Sequence, residues 1–332
     1  WIRYIILYSA LTRWVFVDRK PIFLASKIMA IMLGFVIIDT IWQYISGVSL
    51  TGNVRDSYGR LSGPINNIKV GIFIAKMLFP IIGIGIFFAL QKKEKWSFMW
   101  PILLLFAAIS TIMLTGERTA FASTVIGLLL SALLLAFFEP GLGKKITVMS
   151  VILLAIAAFL LVTQSWVQSR AYDFYQTIVN YNQTPYSKLA VAGYLVGVDN
   201  YLVGAGLKGF RELCPLLAYN GASDYCNLHP HNPYVEWFAE TGIIGGFLFI
   251  LIVCIFLHKC LKHLIAHTGN RRLTVAFALA CIIMNFFPFM PTQSIFSNWP
   301  AILLWYSVSI SIASLNLLTD ASPLLKSGKE NL

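Results

Sequence analysis

The chain has 332 residues, 58% of them hydrophobic and only 12% charged, with a formal net charge of +11. This composition excludes a water-soluble domain and places the chain among polytopic membrane proteins. The positive charge is scattered through short loops between apolar runs, with no dense basic block, so it reads as membrane topology and no nucleic-acid partner is expected.

The chain opens with Trp1 rather than Met and has no basic region followed by a cleavage site, which reads as part of a longer protein. Residues 1–17 carry Arg3 and Arg13, and read as an interfacial helix or the tail of an earlier span. A bilayer span needs about 20 mostly apolar residues. By that standard eight follow, at 22–45, 70–90, 98–115, 119–138, 146–163, 242–259, 273–290 and 299–317. The expected fold is therefore all-α, a polytopic transmembrane helical bundle with a large helical loop outside the membrane. Residues 1–163 form spans with short outer loops, 164–241 the large loop, and 242–332 the C-terminal spans and a cytoplasmic tail.

The positive-inside bias orients the bundle. Arg13, Arg19, Lys20, Lys92, Lys93, Lys95, Lys144, Lys145, Lys259, Lys262, Arg271, Arg272, Lys326 and Lys329 all fall on one side, the cytoplasmic one. The other face receives Gly47 to Lys69, the tight turn Gly116 to Thr119, the large loop, and Pro291 to Asn298.

Within the large loop, Ala190 to Leu202 reads as a mostly apolar helix. Gly204-Ala205-Gly206-Leu207-Lys208-Gly209-Phe210 reads as a glycine-rich turn, either a bend between two surface helices or, more weakly, a phosphate cradle. Cys214 and Cys226 could close a disulfide in an oxidising compartment, or remain two small buried thiols. No CxxC spacing occurs, and neither a metal nor any other cofactor is expected.

The loop ends in His229-Pro230-His231-Asn232-Pro233, where Asn232 can cap and Pro233 can start a helix. His231 then sits at the mouth of that helix, beside backbone amides that favour an anion. An imidazole there can take a proton from a hydroxyl near neutral pH, or can merely satisfy the loop. His229 supports it, while His258, His263 and His267 read as solvated cytoplasmic loop residues. Arg60, Arg118, Arg170 and Lys188 are the cations of the outer face, and planar guanidinium groups suit diphosphate oxygens. Arg118, at a span boundary, is costly there unless it pairs or serves a polar cavity. Its alternative partner is Glu117, although adjacent residues meet poorly on a helix. Lys208 and Arg211 read as solvated. Glu236 and Glu240, four apart, share a helix face and support His231 or the helix start.

The segment from His231 resembles the O-antigen ligase and O-antigen polymerase superfamily. That family's signature is His, then Asn, Ser or Gln, nine residues, Gly, two residues, and a small or aromatic residue. Here it reads His231-Asn232, Pro233 to Thr241, Gly242, Ile243-Ile244, Gly245. Arg60-Leu61-Ser62-Gly63 with Asn66-Asn67, Gly116-Glu117-Arg118-Thr119, and Gly204-Ala205-Gly206 with Phe210 are also similar to family elements. The family often carries an Arg with a Leu four residues on in the large loop. This chain offers Arg170 or Lys188 without that Leu, so the loop cation stays open between them.

The resemblance implies a glycosyltransferase in the bacterial inner membrane, with its large loop and active site on the periplasmic face. It would pass a glycan from undecaprenyl diphosphate to a sugar hydroxyl, using neither metal nor nucleotide sugar. The acceptor would be lipid A-core in a ligase, or another carrier-linked glycan in a polymerase. His231 would be the base, and Arg118, Arg60 and one of Arg170 or Lys188 would hold the diphosphate. A transporter of an anionic lipid or solute is the reading from another class.

Overall fold

The computed structural model describes residues 2–56, 59–65, 69–92, 97, 99–141, 165–216 and 226–319. The expected span at 146–163, Asn66 and Asn67, the basic residues Lys93, Lys95, Lys144, Lys145, Lys326 and Lys329, and the side chains of Lys92 and Arg170 lie outside the described residues.

The described chain is helical, as expected: α1 (Ile2–Ala10), α2 (Arg19–Ser46), α3 (Val70–Lys92), α4 (Met99–Thr115), α5 (Arg118–Phe138), α6 (Ser165–Val179), α7 (Pro185–Asp199), α8 (Gly209–Leu213), α9 (Pro233–Ala266), α10 (Asn270–Phe286) and α11 (Asn298–Thr319). By length and composition, α2, α3, α5 and α9 can cross a membrane, and α4 is a shorter apolar helix. The expected spans at 273–290 and 299–317 fall on α10 and α11. The first of these ends at Phe286, because Pro288 cannot continue the helical hydrogen-bond ladder. Residues 287–297 turn back as a strap across the bundle end.

Burial sorts these helices into centre and rim. Over its most apolar stretch α3 is 89% buried, against 33% for α2, 33% for α5 and 28% for α9. The outer three therefore present apolar side chains to lipid, while α3 packs against α2, α4, α5, α10 and α11. One apolar core surrounds α3 through Ile74, Leu78, Phe79 and Ile82. A second joins α1, α9, α10 and α11 through Trp237, Phe249, Phe256 and Trp305. A third, small core of Leu189, Ala192, Val196, Phe210, Cys214 and Ala239 fastens the large loop onto the first turns of α9. Cys214 and Cys226 are disulfide-bonded there, with Cα atoms 5.8 Å apart.

Two helix starts position the site. Thr184 caps α7, its hydroxyl accepting from the Ser187 amide at 3.3 Å. At α9 the Asn232 side-chain oxygen accepts from the amides of Tyr234 at 3.0 Å and Val235 at 3.2 Å, with Pro233 supplying the preset φ of a first turn. The helix then breaks at Gly242, which takes φ 67°. A side chain there would run into the backbone of Leu202 and Val203, so this glycine answers both a left-handed backbone and a close approach.

Candidate active site

His231 lies one residue before the α9 cap, with φ 56°, an uncommon conformation for a residue with a side chain. The strap holds it there. The Thr292 amide donates to the His231 carbonyl at 2.7 Å, and the Asn232 amide nitrogen donates to the Pro288 carbonyl at 2.7 Å. The Tyr234 hydroxyl adds a bond to the Phe286 carbonyl at 2.6 Å.

A single carbonyl, that of Thr292, meets both imidazoles: His231 Nδ1 at 3.3 Å and His229 Nε2 at 3.3 Å. A carbonyl only accepts, so these two ring nitrogens carry the protons. That leaves His231 Nε2 with its lone pair, approached by the Asn227 amide nitrogen at 3.4 Å. The two imidazole rings lie 4.1 Å apart, and Tyr186 meets His231 edge-on at 5.6 Å. Burial pushes the His231 pKa below its ordinary value, with a further push from the Lys69 ammonium and an opposing pull from the Thr292 carbonyl. His229 goes down to about 4 through burial and then the neighbouring His231, with Lys69 and Arg211 adding to the effect.

The amides at the mouth of α9 are not open to an anion. Asn232 occupies those of Tyr234 and Val235, and its carbonyl takes the Glu236 amide at 2.8 Å. Glu236 and Glu240 do share a buried face, but their described bonds go to the flanks of the histidine. Glu236 accepts from the Ser294 hydroxyl and from the Ile295 amide at 3.2 Å, pinning the strap. Glu240 accepts from the Lys208 amide at 2.7 Å, pinning the large loop.

Arg118 begins α5 and reaches the large loop rather than Glu117. Its guanidinium pairs with Asp173 at 3.1 Å and donates to the Thr177 hydroxyl at 3.1 Å, with the side chain 40% exposed. Glu117 turns the other way and caps α3, accepting from the Gly71 amide at 2.5 Å and the Ile72 amide at 3.2 Å. Burial lifts its carboxyl to about 7, opposed by those two amides and then by Lys69 and Arg60. Lys69 thus bears electrostatically on Glu117 and on both histidines.

Arg60 is half-buried in its loop, which Asp56 closes by accepting the Arg60 amide at 2.6 Å. Lys188 is half-buried in the first turns of α7, two residues after Tyr186, and Arg170 lies in α6 one turn before Asp173.

Several participants were not legible beforehand. Lys69, Tyr186, Asp173 and Thr292 carry no motif, and the one available signal was a lysine directly ahead of the apolar run of α3. Arg211 is not simply solvated: its Nε is buried without a hydrogen-bond partner among the described residues, and its charge bears on His229, Glu236 and Glu240. The glycine-rich turn is a bend rather than a cradle, since the amides of Gly204, Ala205, Gly206 and Gly209 are used on backbone carbonyls and that of Lys208 on the Glu240 carboxylate. His258 and His263 lie in α9 and His267 caps its end. His263 Nδ1 is 3.4 Å from His267 Nε2, and no third possible metal ligand joins them among the described residues. Beneath the strap a cavity of about 20 Å³, room for one water, is lined by Lys76, Asn285, Thr292 and Gln293.

No curated protein matches the chain. Residues 102–250 match the O-antigen ligase family model, a stretch that takes in Arg118, the large loop, the histidine pair and the break at Gly242. That match supports the O-antigen ligase and polymerase superfamily, whose members are membrane glycosyltransferase-like enzymes acting on lipid-linked glycans.

Proposed function

We propose that this chain transfers a glycan from undecaprenyl diphosphate to a sugar hydroxyl, with lipid A-core as acceptor, at the periplasmic face of a bacterial inner membrane. The observation that carries the reading is the tautomer of His231. With Nδ1–H committed to the Thr292 carbonyl, Nε2 keeps its lone pair, and the lowered pKa keeps it neutral. In the proposed step Nε2 takes the acceptor hydroxyl proton as its oxygen bonds to the anomeric carbon. The anomeric carbon–phosphate oxygen bond breaks, and undecaprenyl diphosphate leaves with the electron pair.

Charge builds on that leaving group, so cations are required where it departs. Arg60 and Arg118 flank the Glu117 turn at the His231 end of the bundle, and we assign them, with Arg170 or Lys188 from the loop, to the diphosphate. Asn232, Glu236, Glu240 and Gly242 hold the histidine segment. The loop at 164–241 acts as the cover, and the apolar helices of 1–163 and 242–332 accommodate the polyprenyl tail.

Replacing His231 with Ala is expected to abolish transfer while leaving carrier-lipid binding largely intact. Loss of both to the same degree, or of neither, would favour anionic-lipid transport instead. Ligase and polymerase separate in cells lacking the gene: accumulation of carrier-linked polymer supports the ligase, and accumulation of single repeat units supports the polymerase.

A further inference from the structure

The turn from Tyr201 to Gly209 is left without a role by the proposed chemistry, and two independent features of it point to lipid. The first is what it exposes. Leu202, Val203 and Leu207 are 64%, 73% and 55% exposed, three aliphatic side chains within six residues. They lie against the Gly242 break, where the Ile243 amide donates to the Tyr201 carbonyl at 2.8 Å. Just beyond that break Ile243, Ile244 and Phe247 are exposed on α9. The apolar surface of the turn therefore runs on into the surface that a membrane-crossing helix presents to lipid.

The second feature is the backbone. A loop enters hydrocarbon only when its polar groups are satisfied within the protein. The Gly204 amide donates to the Asn200 carbonyl at 2.8 Å, Ala205 to Ala239 at 2.9 Å, Gly206 to Glu240 at 3.1 Å, and Gly209 to Gly206 at 2.9 Å. The Lys208 amide goes to the Glu240 carboxylate. Gly204 takes φ 73°, and a side chain there would strike the backbone of Glu240 and Thr241. These bonds hold the turn against α9 while its aliphatic side chains stay exposed.

We propose that the Tyr201–Leu207 turn is a membrane wedge, inserted in the leaflet next to the Gly242 break, with phospholipid acyl chains as its partner. It would fix the height of the large loop on the bilayer.

The test is depth-dependent quenching in phosphatidylcholine vesicles holding the full chain. Cysteine is introduced singly as Leu202→Cys, Val203→Cys or Leu207→Cys and labelled with an environment-sensitive fluorophore. Cys254, exposed, is first changed to Ala. Cys260 and Cys281 are buried, and Cys214 and Cys226 are tied in their disulfide. Phe247→Cys serves as the lipid control, and Asn182→Cys, in the exposed turn Tyr181–Gln183, as the water control.

The labels at 202, 203 and 207 are expected to follow position 247, with blue-shifted emission, strong loss of signal to nitroxide-bearing lipids, and little loss to aqueous iodide. Labels that follow position 182 overturn the proposal. So do labels shielded from iodide yet untouched by lipid nitroxides, which would mean a protein cover. The three side chains are exposed, so each variant is expected to fold, and the three positions are read independently.

Discussion

The two ends of the bundle each carry an arginine paired with a carboxylate, and they differ in what surrounds the pair. At the far end Arg272 meets Glu139 at 3.0 Å with its side chain 11% exposed, and it also donates to the carbonyls of Leu264 and Phe138. Glu139 in turn accepts the Gly269 amide at 2.6 Å, closing the α9–α10 turn onto α5. At the histidine end Arg118 meets Asp173 at 3.1 Å, but the two side chains are 40% and 49% exposed. The first arginine is committed to backbone it cannot leave. The second is held by an exposed carboxylate together with the Asp173 carbonyl and the Thr177 hydroxyl, and another anion can displace that carboxylate. A guanidinium–carboxylate pair thus marks a fastening or an available binding group according to its burial.

The largest expected effects separate the two ends. His231→Ala at one end should remove transfer with little change in melting temperature in detergent, because the half-buried imidazole belongs to none of the three apolar cores. Arg272→Ala at the other should lower the melting temperature clearly, because it breaks a largely shielded pair and frees the Leu264 and Phe138 carbonyls. A thermal melt that leaves Arg272→Ala unchanged would remove the fastening role. A His231→Ala protein that melts far lower than the parent would make the imidazole structural instead.

Gly242→Ala comes next, since it places a side chain at φ 67° and against the Leu202 and Val203 backbone. A backbone at φ 67°, ψ −168°, a region essentially confined to glycine, alone costs about 1–3 kcal/mol, and the clash adds to it. The expected result is a lower melting temperature together with weakened transfer, because the turn and the histidine segment share α9. The family signature glycine is then read as a site of close approach, and an unchanged melt would contradict that reading.

What the sequence showed and what it hid follow from the range of the interactions. The apolar runs of α2, α3, α5 and α9 were legible because a span is written in consecutive residues. The cap at Asn232–Pro233 was legible because a helix start is local. Arg118 with Asp173, Glu117 with the α3 amides, and the Thr292 carbonyl under both imidazoles join residues 45 to 63 positions apart. Such pairings have no period to detect. The helix mouth beside His231 was read as an open anion site because a pattern of residue types does not say that the cap has already taken the amides.

A smaller effect should appear in the pH profile. The His231 pKa lies below its ordinary 6.5, so the proposed base stays neutral, and transfer should persist as pH falls through that value before declining. Lys69 contributes to this lowering, so Lys69→Gln should raise the imidazole pKa and move the acidic limb of kcat/KM to higher pH. An acidic limb that stays in place would disconnect Lys69 from the histidine. Stability follows with the opposite group, His229. Its pKa of about 4 when folded means that the unfolded chain takes up the proton first. The resulting penalty is absent above about 6.5, grows as pH falls, and is complete only below 4.

The smallest change in stability tests the available end directly. An exposed ion pair contributes about 0.2–1 kcal/mol, so Asp173→Asn should barely move the melt. If Arg118 binds the diphosphate, the Asp173 carboxylate competes with it for the same guanidinium, and its removal should lower KM for the lipid-linked donor with little change in kcat. Arg118→Lys should do the reverse and raise KM, because a point charge replaces a fork that can hold two oxygens at once. Opposite shifts from the two variants would place donor recognition at this pair. Unchanged KM in both would leave Arg118 as a tether for α6 alone, a surface counterpart of Arg272, and would erase the distinction between the two ends.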